Sequence, residues 1–179
     1  MLWLLAIPIG AMIAGAFSGK GGDATRGMTE AELRRLNKLQ PNVRTLLLLL
    51  KTKLRTRGIE FFLGDTLRTA AEQRSLVAQG RSALPTSYHR SGRAADIYIR
   101  DARGRPDVHA ANRHAYEQMH ALADAVGLQT LGFRVLRTAG GATFTDPFHV
   151  ELRQDLTPEQ ALARYGQGVD RSADGVVYA

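Results

Sequence analysis

His89, Asp96 and His149 are the residues of this 179-residue chain whose types could together hold a metal ion. Neutral imidazole and carboxylate are the ligands a catalytic zinc accepts. The spacing of His89 and Asp96 does not suit one helical face, where partners stand three or four residues apart. The stretch Ser87-Tyr88-His89-Arg90-Ser91-Gly92-Arg93-Ala94-Ala95-Asp96 reads instead as a loop that turns at Gly92 and runs into a strand, Ala94 to Ile99. A third ligand is available at His149, within a second strand-like run from Asp146 to Leu152 that has a carboxylate, Asp146, just upstream. Glu151, two residues past His149, points to the same face of such a strand. A lone histidine and aspartate are more often an ordinary surface pair than ligands, so the weight lies on the whole pattern. The chain has no cysteine, which excludes a disulfide framework and a thiolate site and leaves nitrogen and oxygen donors.

The pattern Ser-x-His-x-x-Gly-x-Ala-x-Asp, followed by Asp-x-x-His-x-Glu, resembles the signature of the zinc D-Ala-D-Ala metallopeptidases. That family comprises D,D-carboxypeptidases, D,D-dipeptidases and the L-alanyl-D-glutamate endopeptidases of phage endolysins. Ser87, His89, Gly92, Ala94, Asp96, Asp146 and His149 stand where the pattern wants them, and the resemblance spans residues 58–153. It implies an α+β fold of the Hedgehog/D,D-peptidase kind, a small antiparallel sheet with flanking helices. It also implies Zn2+ held by His89, Asp96 and His149, with Asp146 as the catalytic carboxylate. Arg68, after a strand and before a Glu-Gln-x-x-Leu helix, takes the place of the family's substrate- and transition-state-stabilising arginine. Glu151 is the second candidate for the base; its expected role is to orient a ligand imidazole, and Ser87 is given similar supporting work. One departure stands out. Many relatives carry a tryptophan shortly before the last histidine, whereas the only tryptophan here is Trp3, so Phe144 and Phe148 are the candidates to fill that place.

The elements that must position these residues follow from local signals. Thr29, Glu32 and the Leu33, Leu36, Leu39 spacing predict a capped helix from near Met28. Pro41 opens a second, mostly buried helix, whose basic end (Lys51, Lys53, Arg55, Arg57) and Gly58 read as a C-terminus. Ile59 to Leu63 reads as a strand, Ala70 to Gly80 as a helix, and Val108 to Val126 as a long helix ended by Gly127. His109, His114 and His120 on that last helix do not share a face, so they are expected to be surface or packing residues. Leu128 to Leu136 predicts one or two strands, and Thr157-Pro158-Glu159-Gln160 a capping box that starts a short helix.

Residues 1–19 carry no charged side chain and are expected to be a signal peptide, a membrane anchor or a signal-anchor that is later released. Lys20 and Arg26 follow this run and no basic residue precedes it, which the positive-inside rule reads as a cytoplasmic C-terminal side; the expected enzymology argues the reverse. Residues 20–27 read as a linker, 28–166 as the peptidase domain and 167–179 as a polar tail. A formal charge of +7 implies an anionic partner, and envelope polymers suit it. Nucleic acid is not expected, because no helix-turn-helix, zinc-finger or aromatic-basic RNA motif is present.

The expectation from sequence is therefore a monomeric zinc peptidase acting on peptidoglycan stem peptides at the bacterial inner membrane or periplasm, with membrane contact through residues 1–19. The compact chain and the lack of wall-binding repeats favour a phage-type L-alanyl-D-glutamate endopeptidase. A D-Ala-D-Ala carboxypeptidase and a non-catalytic, membrane-tethered wall-binding module are the alternatives.

Overall fold

The structure, a computed structural model, describes residues 24–167 apart from Ala83, Ala139, Gly140 and Ala142. The expected membrane segment, the first part of the linker and nearly all of the tail lie outside the described residues. Among the described residues no helix is long and apolar enough to cross a membrane.

Helix α1 (Glu30–Leu36) starts where Thr29 and Glu32 form the expected capping box. Helix α2 (Pro41–Arg55) follows with Pro41 in its first turn. It buries Val43, Leu46, Leu47, Leu50 and Leu54, each leucine contributing roughly 1.5–3 kcal/mol of transfer free energy. The rest of the chain runs β1 (Phe61–Leu63), α3 (Ala70–Ala78), a 3-10 turn (Tyr88–Ser91), β2 (Ala94–Ile99), α4 (Arg113–Val126), β3 (Gln129–Thr130), β4 (Val135–Arg137), β5 (Thr143–Thr145), β6 (His149–Glu151) and α5 (Pro158–Gly166). The main sheet has the order β1-β2-β6-β3 and is antiparallel throughout, and β4 and β5 form a separate hairpin. This is the expected mixture of helices with a small antiparallel sheet.

Strand β2 divides the molecule. Ala95, Ile97 and Ile99 join the core with Leu47 and Leu50 of α2 and Tyr116, Met119 and Ala123 of α4. The alternate residues Ala94, Asp96 and Tyr98 point to the opposite face. Fully buried Glu32 ties α1 to this frame: it accepts from the backbone N–H of Leu63 and from both the amide and the hydroxyl of Thr29, and it pairs with Arg100 just past β2.

Lys51, in the basic run that ends α2, is buried, paired with Glu60, and donates to the carbonyl of Arg26, which fastens the end of the linker to the body. One expectation needs correction, the start of α4. This helix begins at Arg113 and not at Val108. The Asp107 carboxylate accepts from the N–H groups of His109, Ala111 and Asn112, and Ala110 turns left-handed (φ 50°), so this stretch closes on itself before Asn112 caps the helix.

Candidate active site

The loop expected to bring His89 to Asp96 is built from backbone bonds. The Ser87 hydroxyl accepts from the backbone N–H of His89 and caps the 3-10 turn. Gly92 then takes a left-handed φ of 66°, and a Cβ there would lie 3.0 Å from the carbonyl of Lys38, so glycine answers both the turn and the close approach. The amide of Gln40 donates to the Gly92 carbonyl, which docks the loop on the junction between α1 and α2. Ser87 thus supports His89 through the backbone and not through the imidazole. The ring is oriented by a group the sequence reading missed: its Nδ1 donates to the carbonyl of Thr66 at 2.6 Å. A carbonyl belongs to every residue, so nothing in the sequence marks this one.

Strand register does the rest. Asp96 of β2 stands directly opposite His149 of β6, and Ala94 stands opposite Glu151. His149 and Glu151 share a face, and Glu151 Oε2 accepts from His149 Nε2 at 2.8 Å. With the outer nitrogen of each ring committed as a donor, His89 Nε2 and His149 Nδ1 are the atoms left to face a metal. The three inward atoms form a nearly equilateral triangle. His89 Nε2 lies 3.1 Å from Asp96 Oδ1 and 3.2 Å from His149 Nδ1, and the third side measures 3.4 Å. Zinc bonds of about 2.0–2.1 Å at tetrahedral angles would set ligand atoms about 3.3 Å apart. Among the described residues this is the group of histidines and carboxylates that could hold a metal ion, and all three are buried. Two imidazoles and a carboxylate with this spacing fit zinc.

The electrostatics point the same way. Asp96 is held well below the usual carboxylate range: its burial opposes this, but His89, His149 and Arg68 together overcome it. Burial would also lower His149, yet hydrogen bonds to Asp96 and Glu151 and the charges of Asp146 and Glu151 push it up to about 10. Glu151 is lowered against its own burial by His149 and Arg153, and the Arg153 guanidinium bonds its other oxygen. The site thus attracts positive charge at the point where the three donors meet.

Arg68 and Asp146 complete the arrangement. Arg68 pairs with Asp96 Oδ2, leaving Oδ1 for the triangle, and also reaches Asp65 at 3.3 Å. Its backbone N–H donates to the carbonyl of His89. Asp146 sits in the turn between β5 and β6, and its carboxyl is raised, mainly by burial and further by Asp96, against the pull of His149, His89 and Arg68. Arg68, Ser87, His89, Asp96, Asp146, His149 and Glu151 all line one cleft of about 920 Å3, whereas Gly92 and Ala94 of the motif do not. Phe144 and Phe148 line it too; Phe144 sits on the β4–β5 hairpin opposite Leu136, and Phe148 packs on Tyr98 (4.7 Å) and Tyr116 (5.5 Å). His109 and His114 are exposed and stand apart, whereas His120 is half-buried and bonds the carbonyl of Pro147.

No family model matches the chain, and no curated protein matches it in sequence. Among solved structures it is similar to the L-Ala D-Glu endopeptidase ChiX of Serratia marcescens, with a TM-score of 0.52 and 24% identity over 72% of this chain and 91% of that one. It is also similar to the vancomycin-resistance D,D-pentapeptidase VanY in complex with Zn(II), with a TM-score of 0.45 and 19% identity over 73% of this chain and 79% of that one. The resemblance carried by the motif thus extends to the fold, which is that of the Serratia endopeptidase.

Proposed function

We propose that this chain is a zinc-dependent peptidoglycan peptidase that cleaves stem peptides, and that the bond it cuts is the one between L-alanine and D-glutamate. The observation that carries the reading is the buried triangle of His89 Nε2, His149 Nδ1 and Asp96 Oδ1, set in a cleft that also presents Asp146 and Arg68. Sharing a fold with an L-Ala D-Glu endopeptidase supports the choice of bond.

His89, Asp96 and His149 would hold the zinc, which supplies a Lewis acid and makes water nucleophilic at neutral pH. The remaining work falls to side chains of this chain. Thr66 and Glu151 hold the two imidazoles in the tautomers that direct lone pairs inward. Asp146 takes a proton from the attacking water and returns it to the leaving amine; burial raises its carboxyl, which favours its accepting that proton. Arg68, at the cleft wall, meets the negative charge that develops on the scissile carbonyl oxygen, a contact worth roughly 3 kcal/mol in comparable sites. Residues 1–19 deliver the domain to the periplasmic face of the inner membrane, and fractionation of the full chain against one lacking them tests this.

Digestion of purified peptidoglycan with and without chelator, followed by mass analysis of the fragments, tests the activity. Chelator-sensitive cleavage giving new L-Ala C-termini and D-Glu N-termini is expected. Release of free D-Ala would replace the endopeptidase with a D,D-carboxypeptidase. No cleavage of several wall types by folded, zinc-loaded protein would leave only a wall-binding module.

A further inference from the structure

His120 takes no part in the chemistry above, yet the fold brings it against the turn that carries Asp146. Its Nε2 lies 2.8 Å from the carbonyl oxygen of Pro147. A carbonyl only accepts, so Nε2 bears the proton. The ring is itself fixed on other sides. It meets Phe133 edge-on at 5.6 Å, and Phe133 is held in turn by the Arg113 guanidinium, 4.2 Å from its centroid. Gly132, in a left-handed turn with φ 60°, lies on a further side, where an added Cβ would stand at ordinary contact distance, 3.7 Å, from His120 Nδ1. Helix α4 and the turn at residues 131–133 therefore aim one N–H at one peptide.

That peptide lies on the boundary between two kinds of support. His149 is registered by the main sheet, because β6 pairs with β2 on one side and with β3 on the other. The amide of Ile97 also donates to the Phe148 carbonyl and extends this hold by one residue. Asp146 stands outside the ladder, since β5 ends at Thr145 and pairs with β4 in the separate hairpin. Between the sheet-held Phe148 and Asp146 comes Pro147, and its carbonyl is the one that His120 grips.

We infer that His120 is a positioning residue for Asp146: its Nε2–H fixes the Pro147 peptide and so sets where the Asp146 carboxylate stands, while the sheet holds His149 independently. The inference rests on the reading of Asp146 as the base. It predicts a separation of effects, in that loss of the N–H disturbs turnover and leaves metal binding and substrate affinity alone.

The test uses the full-length protein. His120→Leu and His120→Met both remove the donor; whichever melts cooperatively is carried forward, and His120→Gln restores an N–H at similar reach. Zinc affinity by chelator competition, kcat and KM on peptidoglycan, and a crystal structure are measured for each. The donor-less variant is expected to bind zinc as the parent does, to keep KM, and to lose roughly 10- to 100-fold in kcat, the scale of a misplacement near 1 Å. His120→Gln is expected to recover most of that loss. In the crystal the Asp146 carboxylate should move by more than about 0.5 Å, beyond the tolerance of a productive site, while His89, Asp96 and His149 stay in place. An unmoved Asp146, an unchanged kcat, or zinc affinity falling in step with kcat would each overturn the inference. Were the parent inactive on every wall tested, the peptidase reading would fail, and the position of Asp146 in the variant would still decide the structural claim.

Discussion

Glu151 and Asp146 are both carboxylates within a few residues of His149, and opposite losses should separate their roles. Glu151 accepts from His149 Nε2 at 2.8 Å and is itself gripped by Arg153. Replacing Glu151 by alanine leaves that Nε2–H without its acceptor and lets the proton move to Nδ1, the atom that faces the cluster. Losing such a support costs about 10- to 100-fold in metal affinity. At about 1.4 kcal/mol per tenfold, the expected weakening is roughly 1.4–2.8 kcal/mol. Glu151→Gln keeps an acceptor oxygen and should fall between the two. Competition with a chromophoric chelator measures the affinity, and peptidoglycan cleavage at rising zinc shows whether activity returns at saturation. It should return for Glu151→Ala if, as proposed, this residue orients a ligand and handles no substrate proton. Asp146→Asn should do the reverse, binding zinc as the parent does while losing at least about 100-fold in turnover at any zinc concentration. Normal zinc affinity in Glu151→Ala together with irrecoverable loss of cleavage would refute the reasoning and make Glu151 the base.

Three further outcomes follow from particular contacts. His149, raised to about 10, is protonated at pH 7 in chelated protein, so zinc must displace that proton; calorimetry in buffers of different ionisation enthalpy should find about one proton released from this residue, and affinity should rise with pH until about 10. Asp107 is lowered by the backbone N–H groups of Asn112, Ala111 and His109 against its own burial. A depressed carboxylate stabilises above its unfolded pKa of 3.8 and stops doing so as pH falls through the folded value. Asp107→Ala should therefore lower the denaturant midpoint at pH 7, and the gap between variant and parent should close in acid. Gly64→Ala should lower the melting temperature, because a Cβ there would stand 2.5 Å from the Tyr98 ring and 3.1 Å from the carbonyl of Asp96; an unchanged melting temperature would mean that Tyr98 yields freely.

What the sequence disclosed was what side-chain type and short spacing encode. The Thr29, Pro41 and Thr157 starts, the turn at Gly92 and the strand Ala94 to Ile99 lie where their residues place them, because caps and turns are local chemistry. The motif also named the residues that meet in the cleft. Contacts made through the backbone were hidden: the Thr66 carbonyl on His89, the action of Ser87 on an amide, the His120 bond to Pro147. The start of α4 was misread because helical periodicity continues through Val108 to Ala111, while the Asp107 carboxylate takes the same N–H groups for a turn. Lys51 fits a basic helix end by position, and only its tertiary partners, Glu60 and Arg26, reveal a buried ion pair.

The site divides its labour between two kinds of support. Asp96 and His149 are opposite residues of one ladder, and His89 is held against them by a loop bonded at Gly92 and Thr66, so the donor triangle inherits the rigidity of the sheet. Metal geometry tolerates little slack, and paired strands hold side chains more precisely than loops do. On the proposed reading Asp146 has different needs, since a base must accept a proton and then give it back. It stands off the ladder, in a turn joined to the β4–β5 hairpin, and that hairpin carries Leu136 and Phe144 along the cleft. A substrate pressing on those two side chains therefore bears on the strand that leads straight into Asp146, while Asp96 and His149 lie on a sheet the hairpin does not join. Substitutions at Phe144 should accordingly alter kcat together with KM and leave zinc affinity untouched, and zinc affinity that fell with Phe144→Ala would show that hairpin and ladder are not independent.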